Sequence, residues 1–424
     1  IEKMEKRFNE KTAVVLGGTA PHAELIRRLK NRGYYTILVD YLDHPPAKAE
    51  ADLHLQESTL DQEAVLRLAK EYHADTVICS CIDQANITAC YVNEQLGLHA
   101  PYSYETAKKI TNKGYMKKVM RENAIPTSDY VYVDEWNQDR QIHLSFPVMV
   151  KPADSNTSNG VKRADTQEEL ERYLDEAIAI SRNHRAVAEG YVDGREISAY
   201  FYISKKKAHL LLTNERFSRV EGENQVIRCY SIVYPARMSE KAKAGAERIA
   251  DQIAQAFQLD NTPLFFQGIL NGDTIQVLKF APRIGGGLSY RAIEEHTGFD
   301  ILSASIDSWL GNEVCVKIEE KEQITVTNVV YAKSGILGKI TGTEEQIAEG
   351  QMEDYVPYKT EGTEIDDHFN SSSRVGAFTV KGKAMPEVLR KIREIYEKID
   401  VLDVSGRSIL RKDLYLGSEA DIKL

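Results

Sequence analysis

The sequence lacks the apolar run of about 18 residues that a membrane-spanning helix needs. The residues from Ile1 to Lys11 are mostly polar, so we expect neither a membrane anchor nor a secretory signal. Basic residues are outnumbered by acidic ones, 54 to 64, and the net charge of −10 disfavours nucleic acids and anionic lipid surfaces as partners. These deficits predict a soluble protein that binds neither nucleic acid nor membrane.

Cysteine is scarce as well. The chain of 424 residues has five cysteines, at positions 79, 81, 90, 229 and 315. An odd number in mostly apolar surroundings predicts reduced thiols and a cytoplasmic location. Cys79 and Cys81 have no second pair to complete a metal site, so we interpret them as two strand positions on one face.

Several catalytic patterns are missing too. The sequence has no G-x-S-x-G, no H-E-x-x-H and no convincing Cys–His pair. The turn at 17–22, GGTAPH, lacks the G-x-G-x-x-G spacing of a dinucleotide site, which favours glycines that let a strand pack against a helix. These absences favour chemistry that needs no side-chain nucleophile.

The length suggests roughly three packed units of about 150 residues each. Strand and helix patterns alternate over 12–96, which predicts a doubly wound parallel sheet. Helical patterns then cover 104–124, 239–257 and 291–310, and Asn271-Gly272-Asp273 predicts a hairpin turn. Short strand-like runs and a final helix follow, so we place a boundary near residue 312.

The first informative group of residues lies between 146 and 203. An apolar strand delivers Lys151 to a polar, turn-rich loop, an arrangement in which backbone N–H groups and the lysine ammonium can hold phosphate oxygens. A solvated lysine at a strand end is the simpler alternative. Downstream, Glu189, Tyr191 and Val192 could line a slot for a flat base, and Glu196 could accept hydrogen bonds from ribose hydroxyls.

Four segments resemble the ATP-grasp superfamily, in its biotin carboxylase, carbamoyl phosphate synthetase and L-amino acid ligase branch. They are TNKGYMKKVMRENAIPT at 111–127, FPVMVKPADSNTSNGV at 146–161, VAEGYVDGREIS at 187–198 and FFQGILNGDTIQVLKFAPRIGGG at 265–287. The resemblance implies an α/β fold with a pre-ATP-grasp doubly wound domain at 1–110. ATP-grasp α+β subdomains would follow at 111–190 and 191–311, and a C-terminal α+β cap at 312–424.

The resemblance also implies roles for individual residues, with ATP as the nucleotide. Glu189 matches the acid beside the adenine amino group, Glu196 the acid that binds ribose, and Gln267 a first metal ligand. Arg283 matches the arginine that stabilises the transferred phosphoryl group or the acyl phosphate. The remaining implied contacts are phosphate contacts by Lys113, Lys151 and Ser158, hinge contacts by Tyr191 and Val192, and a border to the acid substrate formed by Gly285, Gly286 and Gly287.

The departures from the pattern concern the metal. The family carries Glu and Asn as Mg²⁺ ligands where this chain has Lys279 and Ala281. An ammonium offers no oxygen ligand and repels the ion, by about 4 kcal/mol at roughly 4 Å and an effective dielectric constant of about 20. The phosphate loop keeps a single glycine, Gly160, and Asn112 replaces an aspartate. We therefore expect the usual two-metal site not to form.

Three functions are compatible with this pattern. The protein is an ATP-dependent carboxylate–amine ligase in which Lys279, with Arg283, supplies charge that a metal normally supplies. Alternatively it is a catalytically impaired, nucleotide- or ligand-binding pseudo-ligase that acts as a partner or regulatory subunit of an enzyme. In the third alternative it binds a different anion in the same cleft. The branch often forms dimers, so a homodimer is a further expectation.

Other charged residues are candidates for substrate contacts. Arg216 and Arg228 flank a polar loop and could bind a carboxylate, and Arg291 follows the glycine run; a solvated position is the alternative for each. His296 could reach a substrate, although a role in the core or on the surface is the simpler interpretation. Lys205, Lys206 and Lys207 are predicted to form a solvated hairpin tip.

Overall fold

The N-terminal part of the chain forms a parallel four-stranded sheet in the order β3-β2-β1-β4. The computed structural model describes residues 11–134, 143–154 and 160–418. Continuous apolar runs form the central strands because helices cover both faces of the sheet. The elements are β1 (Lys11–Leu16), α1 (Ala20–Asn31), β2 (Tyr34–Val39), a 3₁₀ helix (Pro46–Ala49), β3 (Leu53–Leu55), α2 (Gln62–Glu71), β4 (Thr76–Cys79) and α3 (Asp83–Leu96).

This arrangement confirms the predicted α/β class with a parallel N-terminal sheet. The cysteine pair differs from the prediction, because Cys79 is the last residue of β4 and Cys81 lies beyond the strand. The Cys79 thiol is buried beside His22, with 3.6 Å between its Sγ and the ring Nε2. Burial raises the pKa of Cys79 to about 12, so the thiol is protonated at neutral pH.

A pair of helices connects this sheet to the rest of the chain. The helix expected over 104–124 is instead two helices, α4 (Tyr104–Thr111) and α5 (Lys113–Glu122). Asn112 lies between them in an extended conformation, and its Oδ1 accepts a hydrogen bond of 2.9 Å from the Tyr115 amide. Asn112 is therefore an N-cap, which ends one helix and starts the next with Lys113 as its first residue.

A small antiparallel sheet with one helix on it follows, in the strand order β5-β8-β6-β7. Its core joins apolar side chains of the strands to Leu170, Leu174 and Ala177 of the helix. The elements are β5 (Tyr130–Asp134), β6 (Val148–Pro152), β7 (Lys162–Ala164), α6 (Gln167–Ile180) and β8 (Arg185–Gly190).

The largest sheet is antiparallel and has eight strands in the order β13-β12-β9-β10-β11-β14-β18-β16. Its alternating pattern places Ile197, Ala199 and Phe201 against α7 on one face, while Tyr200 and Phe265 on the other face belong to the same apolar core as the N-terminal sheet. The elements are β9 (Arg195–Ser204), β10 (Lys207–Glu221), β11 (Val226–Tyr234), α7 (Glu240–Ala256), β12 (Thr262–Asn271), β13 (Thr274–Ala281), α8 (Ser289–Thr297), α9 (Ile301–Leu310) and β14 (Ile324–Tyr331).

The C-terminal part adds a three-stranded sheet, β17-β15-β19, and contributes three strands of the eight-stranded sheet. Strands on both sides of residue 312 therefore share one sheet, and the four-part division of the chain stays a prediction. The elements are β15 (Gly335–Thr341), α10 (Thr343–Ala348), β16 (Asp354–Pro357), β17 (Glu364–Ile365), α11 (Asn370–Ser373), β18 (Arg374–Gly382), α12 (Met385–Lys398) and β19 (Asp400–Asp403).

Two local expectations have clear outcomes. The hairpin at Asn271-Gly272-Asp273 joins β12 to β13, and Gly272 has the positive φ of +59° that such a turn favours. The helix expected over 291–310 is divided at Gly298, which ends α8 in the left-handed conformation. Within the ranges described above, every helix is too short or too polar to cross a membrane.

Candidate functional site

A line of polar side chains crosses the eight-stranded sheet from β10 to β13. Asn214 pairs with Ser198, Ser198 with Gln267, and Gln267 with Lys279 in the strand register. Directly opposed residues present their side chains to the same face of a sheet. These four residues therefore form one row, which we call the cleft floor.

Lys279 lies at the end of the cleft floor and is accessible to solvent. The surrounding walls still remove part of its hydration, and this desolvation together with Arg283, Arg216 and Lys151 lowers the pKa of the ammonium, while Asp83 opposes the shift. Two of these neighbours, Arg216 and Lys151, lie on strands, while Arg283 follows β13 and Asp83 begins α3. Lys279 therefore lies in a region that is rich in positive charge.

Lys151 and Glu189 stand on neighbouring strands of the small sheet. The Lys151 Nζ lies 2.9 Å from Glu189 Oε1, and the buried Lys117 Nζ lies 3.6 Å from the same oxygen. Burial opposes the charged form of Glu189, but the two lysines hold its pKa below the ordinary value. Glu189 is therefore an ionised carboxylate shared by two ammonium groups.

Lys113 faces the same region from the first turn of α5. Its pKa is lowered to about 8 because burial and the positive charges of Lys151 and Lys279 disfavour the ammonium, with Glu189 and Asp154 acting in the opposite direction. Lysines from three separate elements therefore converge. An anion in the cleft would relieve their mutual repulsion.

Arg216 and Glu196 face each other across β10 and β9. The Arg216 Nε lies 3.2 Å from Glu196 Oε1, and both side chains are partly exposed. Arg216 thus lies beside the cleft floor and already has a carboxylate partner, so its predicted contact with a substrate stays a prediction. Glu196, the predicted ribose contact, is the other half of that pair.

Arg283 forms a partly buried ion pair with Asp83 at the start of α3. Its NH1 donates to the Ile284 carbonyl at 2.9 Å, and its guanidinium lies 5.1 Å from the centre of the Phe265 ring. Burial opposes the charged form of Asp83, yet Arg283 holds the pKa of this carboxyl below its usual range. The arginine side chain is thereby fixed in direction.

Asp83 is a site residue that sequence reasoning missed. It follows β4 at the carboxyl edge of the parallel sheet, where ligand-binding residues of such sheets commonly lie. The position of Asp83 directly after an apolar strand was the one sequence feature that could have indicated its place at the site. Asn86, one helical turn further on, lines a small pocket with Asp83 and Arg283, and its buried amide has no hydrogen-bond partner within the described ranges.

The glycine run connects β13 to α8. A Cβ on Gly285 would lie 2.6 Å from the Tyr200 ring and 2.9 Å from Ser289 Oγ, so no larger residue fits. Gly286 has open space around it, and Gly287 adopts a φ of +63°. The run therefore brings bare backbone past Arg283 to the start of a helix.

Other predicted residues lie elsewhere or are engaged. Arg291 pairs with Asp354 of the C-terminal part at 2.6 Å. Arg228 is buried against Glu221 at 2.6 Å, away from the cleft floor. His296 is buried and its Nε2 lies 2.9 Å from Thr325 Oγ1. Burial lowers the pKa of His296 to about 4, and the residue therefore has the core position that was the simpler of its two predicted roles.

The predicted base slot lies at the end of β8. Tyr191 is 40% exposed, its amide donates to the Pro147 carbonyl at 3.0 Å, and Arg163 stacks 4.7 Å from its ring. Val192 follows it and is half-buried. Ser158 lies outside the described residues, so its predicted phosphate contact stays a prediction.

Comparison with known proteins identifies a matching family profile and several similar proteins. The sequence profile described as D-ala D-ala ligase C-terminus matches residues 116–263. A D-alanine--D-alanine ligase of Natranaerobius thermophilus is 27% identical over 43% of this chain and 49% of its own length. A formate-dependent phosphoribosylglycinamide formyltransferase of Sulfurisphaera tokodaii is 25% identical over 44% of this chain and 48% of its own length. The chain thus matches about half the length of these relatives.

Solved structures agree over nearly the whole chain. An L-amino acid ligase from Bacillus licheniformis superposes with a TM-score of 0.78 at 18% identity, covering 94% of this chain and 100% of that one. Phosphoribosylglycinamide synthetase from Anaerococcus prevotii gives 0.72 at 17% identity, with 93% and 100% covered. A biotin carboxylase domain from Hydrogenobacter thermophilus, in complex with MgADP, ADP and bicarbonate, gives 0.72 at 15% identity, with 95% and 92% covered.

The fold is that of the ATP-grasp proteins. The matching profile, the relatives and the structural neighbours all support the predicted resemblance to the ATP-grasp superfamily. The predicted α/β architecture and the predicted family are both confirmed. These relatives and neighbours are named as ligases, synthetases and formyltransferases.

The divalent cation that this family implies does not fit the residues present. Mg²⁺ takes oxygen ligands, but the position opposite the Gln267 amide is an ammonium, Lys279. Ala281, two residues on, offers a methyl group. Three carboxylates at the cleft, Glu189, Glu196 and Asp83, are each paired with a cation. Within the described ranges, one metal-type cluster occurs, Asp366, Asp367 and His368, in the segment before α11.

Proposed function

We propose that the protein is an ATP-dependent carboxylate–amine ligase that works through an acyl phosphate. The observation that carries the proposal is the convergence of Lys113, Lys151 and Lys279 with Arg283 at one cleft. These cations belong to three separate segments of a protein whose net charge is −10. A local reversal of charge of this kind is suited to a polyphosphate.

The proposed reaction has two steps. A carboxylate oxygen of the acid attacks the γ-phosphorus of ATP, the bond to the bridging oxygen breaks, and ADP leaves. The amine nitrogen of the second substrate then attacks the acyl carbon, and inorganic phosphate leaves with the former carboxylate oxygen while the amine loses a proton. Both steps depend on positioning and on stabilisation of negative charge, so no side-chain nucleophile is needed.

The residues have separate roles in this scheme. Lys113 and Lys151 hold phosphate oxygens, Glu196 accepts from the ribose, and the segment from Glu189 to Val192 borders the base. Arg283 and Lys279 stabilise the charge on the transferred phosphoryl group. Bare backbone at Gly285, Gly286 and Gly287 leaves room for the acid, and Arg216 is placed to bind its charge. Arg291 contacts the C-terminal part and would act on substrate only if its pair with Asp354 opened.

The test is phosphate release from ATP in the presence of a panel of carboxylic acids and amines. We expect release that requires both an acid and an amine, and that falls at least about tenfold in Lys151→Met, since a charge-assisted phosphate contact is worth roughly 1.5–3 kcal/mol. Lys241→Met is the matched control, because Lys241 is an exposed lysine on α7 that pairs with Asp273. Release independent of both substrates would contradict the proposal.

The second candidate is the pseudo-ligase, which binds a nucleotide or another anion and acts as a partner or regulatory subunit. Lys279 and Ala281 in place of the family's metal ligands favour it. The two candidates differ in one measurement: ATP binding with no turnover across the whole panel would support the binding protein. Sedimentation at several protein concentrations would test the expected homodimer.

A further inference from the structure

We propose that the cleft binds its nucleotide as a polyphosphate free of a protein-held divalent cation, with the Lys279 ammonium in the place of that cation. This inference deepens the proposed function and rests on it for the identity of the ligand. It is carried by the register of three strands and by the pairing of the cleft's carboxylates.

The register fixes where Lys279 points. Gln267 is opposed by Ser198 on one side and by Lys279 on the other, so the ammonium and the Gln267 amide belong to one row on one face. A cation seated on the Gln267 oxygen would therefore meet a second positive charge from the adjacent strand. Gln267 retains one neutral oxygen, which is a poor site for Mg²⁺ by itself.

The carboxylates around the row cannot compensate without losing their partners. Glu196 is 3.2 Å from the Arg216 guanidinium, and Glu189 is 2.9 Å from Lys151. Asp83 is bound to Arg283, which is itself buried. Recruiting any of them to a metal would leave an arginine or a lysine without its counter-charge in a partly buried site, which is costly.

Among the residues that the structure describes, cations outnumber carboxylates at the cleft, and this excess of positive charge favours the more negative form of the ligand. An uncomplexed nucleoside triphosphate carries more negative charge than its magnesium complex. A site already rich in ammonium and guanidinium groups gains more from the uncomplexed form. Added magnesium should therefore compete with the protein for the phosphate oxygens instead of assisting their binding.

The experiment is calorimetric titration of the full chain with ATP, once with a chelator and once with magnesium in excess over ATP. We expect binding in the chelator that is at least as tight as with magnesium. Lys279→Gln should weaken binding in the chelator by about tenfold, the value of one charge-assisted contact, and Lys279→Arg should retain it. Lys241→Gln makes the same charge change at an exposed lysine, and this variant should bind ATP with the affinity of the wild type.

Three outcomes would overturn the inference. Binding that requires magnesium would show that a cation is held despite Lys279, and would leave the proposed ligase intact. If Lys279→Gln and the wild type bind ATP equally well in the chelator, the Lys279 ammonium does not take the place of the divalent cation. Circular dichroism must show that the variant is folded. Absence of ATP binding in both buffers would overturn the inference and the proposed function together. Metal-free binding without turnover would contradict only the ligase.

Discussion

Arg283 and Asp83 form an ion pair between segments that lie 200 residues apart in the sequence. The arginine lies two residues beyond the strand that carries Lys279, and the aspartate begins a helix at the carboxyl edge of the N-terminal sheet. Because the guanidinium is also held by the Ile284 carbonyl and stacked on Phe265, its direction depends on both domains. The pair links the position of the N-terminal domain to the arginine proposed to stabilise the phosphoryl group.

Asp83→Asn is expected to impair both stability and turnover. The substitution leaves the buried Arg283 without its counter-charge, so the free energy of unfolding should fall by about 2 kcal/mol, less than for a fully buried pair because Asp83 is partly exposed. Urea denaturation measures this loss, and Glu71→Gln, an exposed carboxylate at the end of α2, is the control. Acid and amine-dependent phosphate release should fall as well; an unchanged rate would contradict a positioning role for Asp83.

The shared carboxylate Glu189 should be the most sensitive charge in the cleft. Glu189→Gln leaves Lys117, which is almost completely buried, with no carboxylate partner, and should destabilise the protein by about 3–5 kcal/mol. Adding Lys117→Met to Glu189→Gln removes that uncompensated ammonium. We therefore expect the double variant to unfold at a higher urea concentration than Glu189→Gln alone, and the reverse order would refute this account.

The lowered pKa of Lys113 predicts a pH dependence with opposite signs for binding and stability. Its ammonium deprotonates near pH 8 in the folded chain but near about 10.4 when unfolded. Between these values the unfolded state binds more protons, so the contribution of Lys113 to stability rises with pH. ATP affinity should fall over the same range, because the phosphate contact loses its charge. Titrations at pH 7 and pH 9 measure this, and Lys113→Met should abolish the difference.

Lys113→Met should also stabilise the unliganded protein at pH 7. The substitution removes an ammonium that burial and two neighbouring lysines disfavour, while it weakens ATP binding. Thermal unfolding without and with ATP separates the two effects. A lower unfolding temperature for the unliganded variant would mean that the repulsion among the lysines is not significant.

The glycine run offers a paired steric test. Gly285→Ala places a methyl group 2.6 Å from the Tyr200 ring and should cost about 1–3 kcal/mol of stability. Gly286→Ala meets no atom within 4 Å and should leave the unfolding free energy nearly unchanged. Urea denaturation of both variants makes the comparison. Equal effects would indicate that the backbone near Gly285 moves to accept the side chain.

The alternation of apolar strands with helical patterns was enough to predict the parallel N-terminal sheet. Strands buried on both faces are continuous apolar runs, and such runs are visible without any tertiary information. The helix breaks at Asn112 and Gly298 were not predicted. Each residue is tolerated inside a helical pattern, and its role as a cap depends on the direction that the following segment takes.

By itself, the sequence determined the resemblance to the ATP-grasp superfamily and the departure from its metal-ligand pattern at Lys279 and Ala281, because ordered motifs are local properties. Only the tertiary structure decided which charges meet. Asp83 reaches Arg283, Lys117 joins Lys151 at Glu189, and Arg291 turns to Asp354 through packing between distant segments. Coulombic interactions depend on distance in space and on local hydration, and residue spacing along the chain contains neither.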